Sequence, residues 1–138
     1  MAIICGIELK SSEAIFALIE WEDGEAKYLD TDPKRLQIAD DECVVAVQSF
    51  LDAFRNFLQD NYIDQIVIKK RNKRGRLSGG AVTFKLEGLI QINGTVPVDF
   101  ISGQGISAAQ RRTPLEIPEE IKRYQEQAYL AAYTWALR

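Results

Sequence analysis

The 138-residue sequence contains no histidine. That absence excludes Ser/His and Cys/His nucleophile pairs and the usual imidazole ligands, so any bound metal would depend on carboxylates. Cysteine is scarce: Cys5 and Cys43 stand far apart and lack CxxC spacing. A zinc site or a thioredoxin-like redox centre therefore has little basis, and both thiols are expected to be buried and reduced. No apolar run reaches the roughly 18 residues that a spanning helix needs, and the start has none of the basic, apolar and small-residue regions of a signal peptide. These shortages predict a soluble protein of the cytoplasm with no membrane association.

A hydrophobic fraction of 46% in 138 residues suffices for one substantial core, so residues 1–138 are expected to form a single domain. Net charge is −3, yet residues 69–76 carry six cations: Lys69, Lys70, Arg71, Lys73, Arg74 and Arg76. Without them the balance is 17 − 6 = 11 cations against 20 acids, or −9. Positive charge is thus concentrated against an acidic background.

Residues 2–9 are almost continuously apolar, the pattern of a strand covered on both faces, and predict the central strand. A polar break at Lys10-Ser11-Ser12 leads to a second strand at 14–21, and Asp23-Gly24 signals a hairpin into a weaker third strand at 25–30. Asp40 or Asp41 can cap a helix running to about residue 60. In it Val44, Val47, Phe50, Leu51, Phe54, Phe57 and Leu58 recur at steps of three and four. Residues 63–68 form a fourth strand, parallel to the first because a helical crossover precedes it.

After the basic stretch, Ser78-Gly79-Gly80 opens a helix with Val82, Leu86, Leu89 and Ile90 on one face, and Asn93-Gly94 supplies its left-handed stop. A strand at 95–101 follows, suited to an edge by Pro97. Residues 102–117 read as a long polar loop. Pro118, Glu119 and Glu120 then start a terminal helix with Ile121, Tyr124, Ala128, Ala131 and Trp135 on its inner face. Apolar residues on more than one side of that helix make a homodimer interface plausible. The expected order is β-β-β-α-β-α-β-α, an α/β fold with a five-stranded mixed sheet and helices packed on it.

This order resembles the ribonuclease H-like superfamily, and three segments are similar to its RuvC-type Holliday-junction resolvase branch. They are ICGIE at the start, the stretch from Ile66 to Ser102, and the alanine-rich EQAYLAAYTWAL at the end. The resemblance points to an uncharacterised bacterial family within the superfamily. It implies two-metal phosphodiester hydrolysis, in which carboxylates hold Mg²⁺ ions roughly 4 Å apart. Under it Glu8 takes the first acidic position and Glu126 a later one, whereas Lys69 and Lys70 stand where a second acid is expected, and Tyr129 where another belongs. An ammonium there repels a cation directly.

Two readings of Glu8 remain open: metal ligand or general base, and carboxylate paired with Lys69 or Lys70. Glu126 is either a site residue or an ordinary acid on a helix face. Residues 69–76, leading into Ser78 and Gly79, combine cationic side chains with free N–H groups at a helix start, which suits phosphate binding. The alternative is a solvated charged loop. No aromatic residue lies among 69–76, so backbone contact is favoured over base stacking, and Arg111 and Arg112 can extend the patch. Lys10-Ser11-Ser12 resembles, more loosely, the phosphate hairpin of actin-like ATPases.

Three functions follow as expectations. The first is a degenerate, non-catalytic domain, needing no cofactor, that binds duplex or branched DNA through Lys69, Lys70, Arg71, Lys73, Arg74, Arg76, Ser78 and Gly79. The second is an active Mg²⁺-dependent nuclease using Glu8 and Glu126, with help from an acid such as Asp99. The third is a dimeric protein-interaction scaffold.

Overall fold

The computed structural model describes residues 1–71 and 80–138. Lys73, Arg74, Arg76, Ser78 and Gly79 lie outside the described residues.

Five strands run in the spatial order β3-β2-β1-β5-β6: β3 Glu25–Leu29, β2 Glu13–Glu22, β1 Ala2–Lys10, β5 Gln65–Lys69 and β6 Val98–Ile101. A sixth strand, β4 (Arg35–Gln37), pairs antiparallel with the first residues of β2, beyond the reach of β3. The sheet is therefore six-stranded, not five-stranded. β4 escapes sequence reading because three residues are too few to set a period of two; its place is secured by half-buried Leu36 and the buried Ile38 beside it.

The central position of β1 and the edge position of β6 follow the expected order. β1 pairs antiparallel with β2 and parallel with β5, and β5 pairs parallel with β6. Asp23 and Gly24 both have positive φ, 53° and 78°, as a two-residue hairpin turn between β2 and β3 requires.

Alternation along the strands divides the core in two. Ile3, Cys5, Ile7 and Leu9 of β1, with Ile66 and Ile68 of β5, meet helices α1 (Val44–Asp60) and α2 (Ala81–Gln91). On that side Phe16 stacks on Phe57 with ring centroids 4.3 Å apart, and Phe54 lies alongside. Burying each such ring is worth about 1.5–3 kcal/mol. The opposite face, with Ile4, Ala17, Ile19 and Val67, is covered by α4 (Glu126–Ala136) and by Ile106 of α3 (Gly103–Arg112).

Several local expectations change. α1 starts at Val44 with Cys43 as its N-cap, while Asp40 accepts a bond from the Glu42 amide instead of capping the helix. Cys43 is exposed in consequence, as is Val44; only Cys5 is a buried thiol. Residues 103–112 are helix α3, not loop: Ser102 caps it by accepting from the Gly105 amide, and burial of Ile106 overrides the weak propensity of two glycines.

The terminal α-helix begins at Glu126, not Pro118, after a 3₁₀ turn at Arg123–Gln125. The fully buried Gln125 amide dictates that start. Its Nε2 donates to the Phe16 carbonyl at 2.9 Å and its Oε1 accepts from the Lys122 amide at 2.9 Å. Tyr124, assigned to the inner face, is exposed because the chain is still in the 3₁₀ turn there.

Ala128, Tyr129, Leu130, Ala131 and Ala132 are all buried, so the several apolar sides of α4 are covered within the chain. Among the described residues no helix is long and apolar enough to cross a membrane.

α4 lies unusually close to β1. A Cβ on Gly6 would fall 1.8 Å from the Ala128 carbonyl oxygen and 3.0 Å from the Ala132 Cβ. Only glycine on the strand, facing alanines on the helix, permits this approach. Gly6→Ala should therefore cost about 3 kcal/mol, the upper end for overpacking, because a backbone atom is what must move. Urea unfolding should show a lower midpoint at unchanged slope.

Burial of the Tyr129 hydroxyl, reinforced by neighbouring Tyr133, pushes its pKa up to about 12. Above about pH 10 the unfolded chain loses this proton while the folded chain keeps it. Stability present below pH 10 should thus fall as pH rises to 12, and Tyr129→Phe should flatten that slope in unfolding titrations.

Candidate functional site

Parallel pairing of β1 with β5 aligns Gly6 with Val67, so the residues two further on, Glu8 and Lys69, emerge on the same face. That face is the one covered by α4. The Lys69 Nζ lies 3.9 Å from Glu8 Oε2 and donates a 2.8 Å hydrogen bond to Gln127 Oε1 of α4. The two charged side chains are only 26% and 23% exposed, so the pair is partly withdrawn from water. The ion-pair reading of Glu8 matches this geometry.

The three side chains form the floor of an open cleft of about 770 Å³, whose other lining includes Lys70, Arg71, Ser102, Gly103, Gln104, Ser107 and Arg111. Lys70, the residue after β5, is exposed, and its amide donates to the Ile101 carbonyl. Arg71 is different: its side chain is 4% exposed, its guanidinium sits 3.4 Å above the centre of the Phe84 ring, and its Nε lies 3.7 Å from Glu87 Oε1. Among the described residues, Arg71 Nε and Nη2 have no hydrogen-bond partner.

The opposite wall is the start of α3. Gly103 lies near the Lys69 stem, since a Cβ there would come into ordinary contact with Lys69 Cε at 3.5 Å. First-turn N–H groups of a helix have no acceptor within it and carry partial positive charge, and here they border the same cleft. Among the described residues three cationic side chains (Lys69, Lys70, Arg111) thus line the cleft with one carboxylate, Glu8, in a chain whose net charge is −3, while the Arg71 guanidinium is turned to Phe84 and Glu87 of α2.

Other candidates lie elsewhere. Glu126 is half-buried at the first turn of α4 and does not line the cleft; Gln127, about 100° further around the helix, does. Tyr129 packs edge-on against Tyr133 in the core, 5.7 Å between centroids. Asp99, on β6, accepts a bond from Trp135 Nε1 at 3.0 Å and pairs with Arg138 at 3.7 Å. Of the two neighbouring arginines, Arg111 lines the cleft and Arg112 does not.

Sequence reading missed Gln127, Ser102, Gly103, Gln104 and Ser107. A signal existed for α3, with Ser102 at a capping position and the helix-favouring Ala-Ala-Gln-Arg-Arg at 108–112. For Gln127 there was none, because an amide on a terminal helix is unremarkable until the fold sets it beside Lys69.

The Mg²⁺ pair implied by the resolvase resemblance does not fit these residues. Among the described residues, no three acidic or cysteine side chains converge as metal ligands. Among the described residues Glu8 is the one carboxylate in the cleft, and a lysine ammonium occupies the space in front of it.

The fold as a whole is similar to RuvC of Thermus thermophilus, with a TM-score of 0.73 at 11% identity over 98% of this chain and 93% of that one. A T. thermophilus RuvC structure in complex with a Holliday junction substrate gives a TM-score of 0.72, also at 11% identity, over 99% of this chain and 94% of the other. The Fowlpox virus resolvase with Holliday junction DNA gives 0.58 at 9% identity, over 97% and 96%. At such identities the likeness establishes the ribonuclease H-like fold. No curated protein matches the sequence. A family model matches residues 1–135, nearly the whole chain, and the chain belongs to that family, DUF3010, described as a protein of unknown function.

Proposed function

We propose that this chain is a non-catalytic relative of the RuvC-type resolvases that binds the sugar–phosphate backbone of nucleic acid in the cleft over Glu8 and Lys69. The observation that carries this reading is the charge of the cleft: among the described residues Lys69, Lys70 and Arg111 stand against the single carboxylate of Glu8, beside the start of α3. Phosphate oxygens are satisfied by such cations and by helix N–H groups without any base-specific contact. The remaining cations of 69–76 follow directly in the chain.

The cleft does not favour the metal-dependent nuclease reading. Hydrolysis by two metals needs several carboxylates at one point, whereas Glu126 and Asp99 lie outside the cleft. The scaffold reading loses its main support with the coverage of α4 inside the chain. Two of the similar resolvase structures contain Holliday junction DNA, which makes a four-way junction the natural first probe.

In fluorescence anisotropy at low salt, labelled junction or duplex DNA should bind at micromolar protein and be released as salt rises. The double variant Lys70→Ala/Arg111→Ala changes two exposed side chains and should leave the fold intact. It should reduce the slope of log affinity against log salt by up to about 2, one unit for each phosphate left without its cation. Mg²⁺ or Mn²⁺ should produce no cleavage. Failure of both DNA forms to bind at micromolar protein defeats the proposal, and metal-dependent cleavage lost in Glu8→Gln replaces it with the nuclease.

A further inference from the structure

Two oxygens from different elements converge on one nitrogen in the cleft. Gln127 Oε1, from α4, is 2.8 Å from Lys69 Nζ, and Glu8 Oε2, from β1, is 3.9 Å from it. An amide carbonyl and a carboxylate are the hard oxygen donors that Mg²⁺ and Mn²⁺ accept. We propose that Lys69 is a tethered cation filling a divalent-ion position, so that the cleft excludes metal and a single substitution at Lys69 converts it into a metal site. This inference rests on the cleft geometry and not on the nucleic-acid reading.

The physical case has three parts. The ammonium neutralises Glu8 at a place only about a quarter exposed, where an unpaired carboxylate would be costly. The nitrogen is held from two sides, by its hydrogen bond to Gln127 and by its pairing with Glu8, so it is a located charge and not a waving one. Finally, a glutamate side chain ends about one bond short of where a lysine nitrogen lies. Lys69→Glu would therefore withdraw the charge, add a second carboxylate and open the space between the donors. Two carboxylates, one amide oxygen and several waters are a typical Mg²⁺ shell.

The test is Mn²⁺ titration without nucleic acid, followed by the loss of the free-ion electron paramagnetic resonance signal. Wild type should bind no Mn²⁺ that depends on Glu8. Folded Lys69→Glu should bind one ion per chain at least tenfold more tightly than wild type, and Lys69→Glu/Glu8→Gln should lose it. Circular dichroism checks folding.

If Lys69→Glu does not fold, the neutral Lys69→Gln serves in its place and should show the same direction of change at lower affinity. The unmodified protein gives an independent reading, since its melting temperature should be the same with Mg²⁺ and with chelator. Glu8-dependent Mn²⁺ binding by wild type, or a folded Lys69 variant with no gain, overturns the proposal. Failure of DNA to bind leaves it standing, so the two proposals fail separately.

Discussion

The close approach of α4 to the middle of β1 is the constraint on which the candidate site depends. Gly6 has no side chain, and Ala128, Ala131 and Ala132 have the smallest side chains that still favour a helix. The helix axis can therefore lie almost against the strand. Everything else on that face follows from this distance: Gln125 reaches the Phe16 carbonyl, Tyr129 is sealed in the core, and Gln127 arrives within hydrogen-bonding range of Lys69. A bulkier seam would separate Gln127 from the sheet.

The second constraint is electrostatic. A carboxylate on a central strand under a helix needs compensation, and this chain supplies it from the neighbouring parallel strand. Because β1 and β5 are in a register that sets Glu8 and Lys69 on one face, the pair is as much a product of sheet geometry as of charge. A shift of one residue would send Lys69 toward the α1 and α2 side and leave Glu8 alone. The same geometry gathers Lys69, Lys70 and Arg111 around that carboxylate in one cleft. Arg71 is directed elsewhere, its guanidinium spread on Phe84 and paired with Glu87 of α2.

Legibility varied with the length over which a pattern repeats. β1 was readable because residues 2–9 are almost continuously apolar, and α1 because its aromatic face recurs over several turns. β4, with three residues, and α3, with glycines in its first turn, fell below that threshold, and each depends on burial of one isoleucine. The start of α4 eludes sequence reading for a related reason. Pro118 and the acids after it are good local start signals, but the buried amide of Gln125 outweighs them.

By itself the sequence determined the layered α/β order, the central place of β1, and the presence of a carboxylate and a lysine at the ends of two strands that must lie side by side. Those properties are carried by periodicity and by the short reach of each connection, which are written locally. Only the tertiary structure decided that Gln127 and not Glu126 faces the cleft, that Asp99 belongs to a separate contact with Trp135 and Arg138, and that Arg111 joins Lys69 and Lys70. Each of these depends on the rotation of a helix about its axis, where one residue is worth about 100°. That rotation is set by which side chains pack best against the sheet, a property of the assembled core and of no single segment.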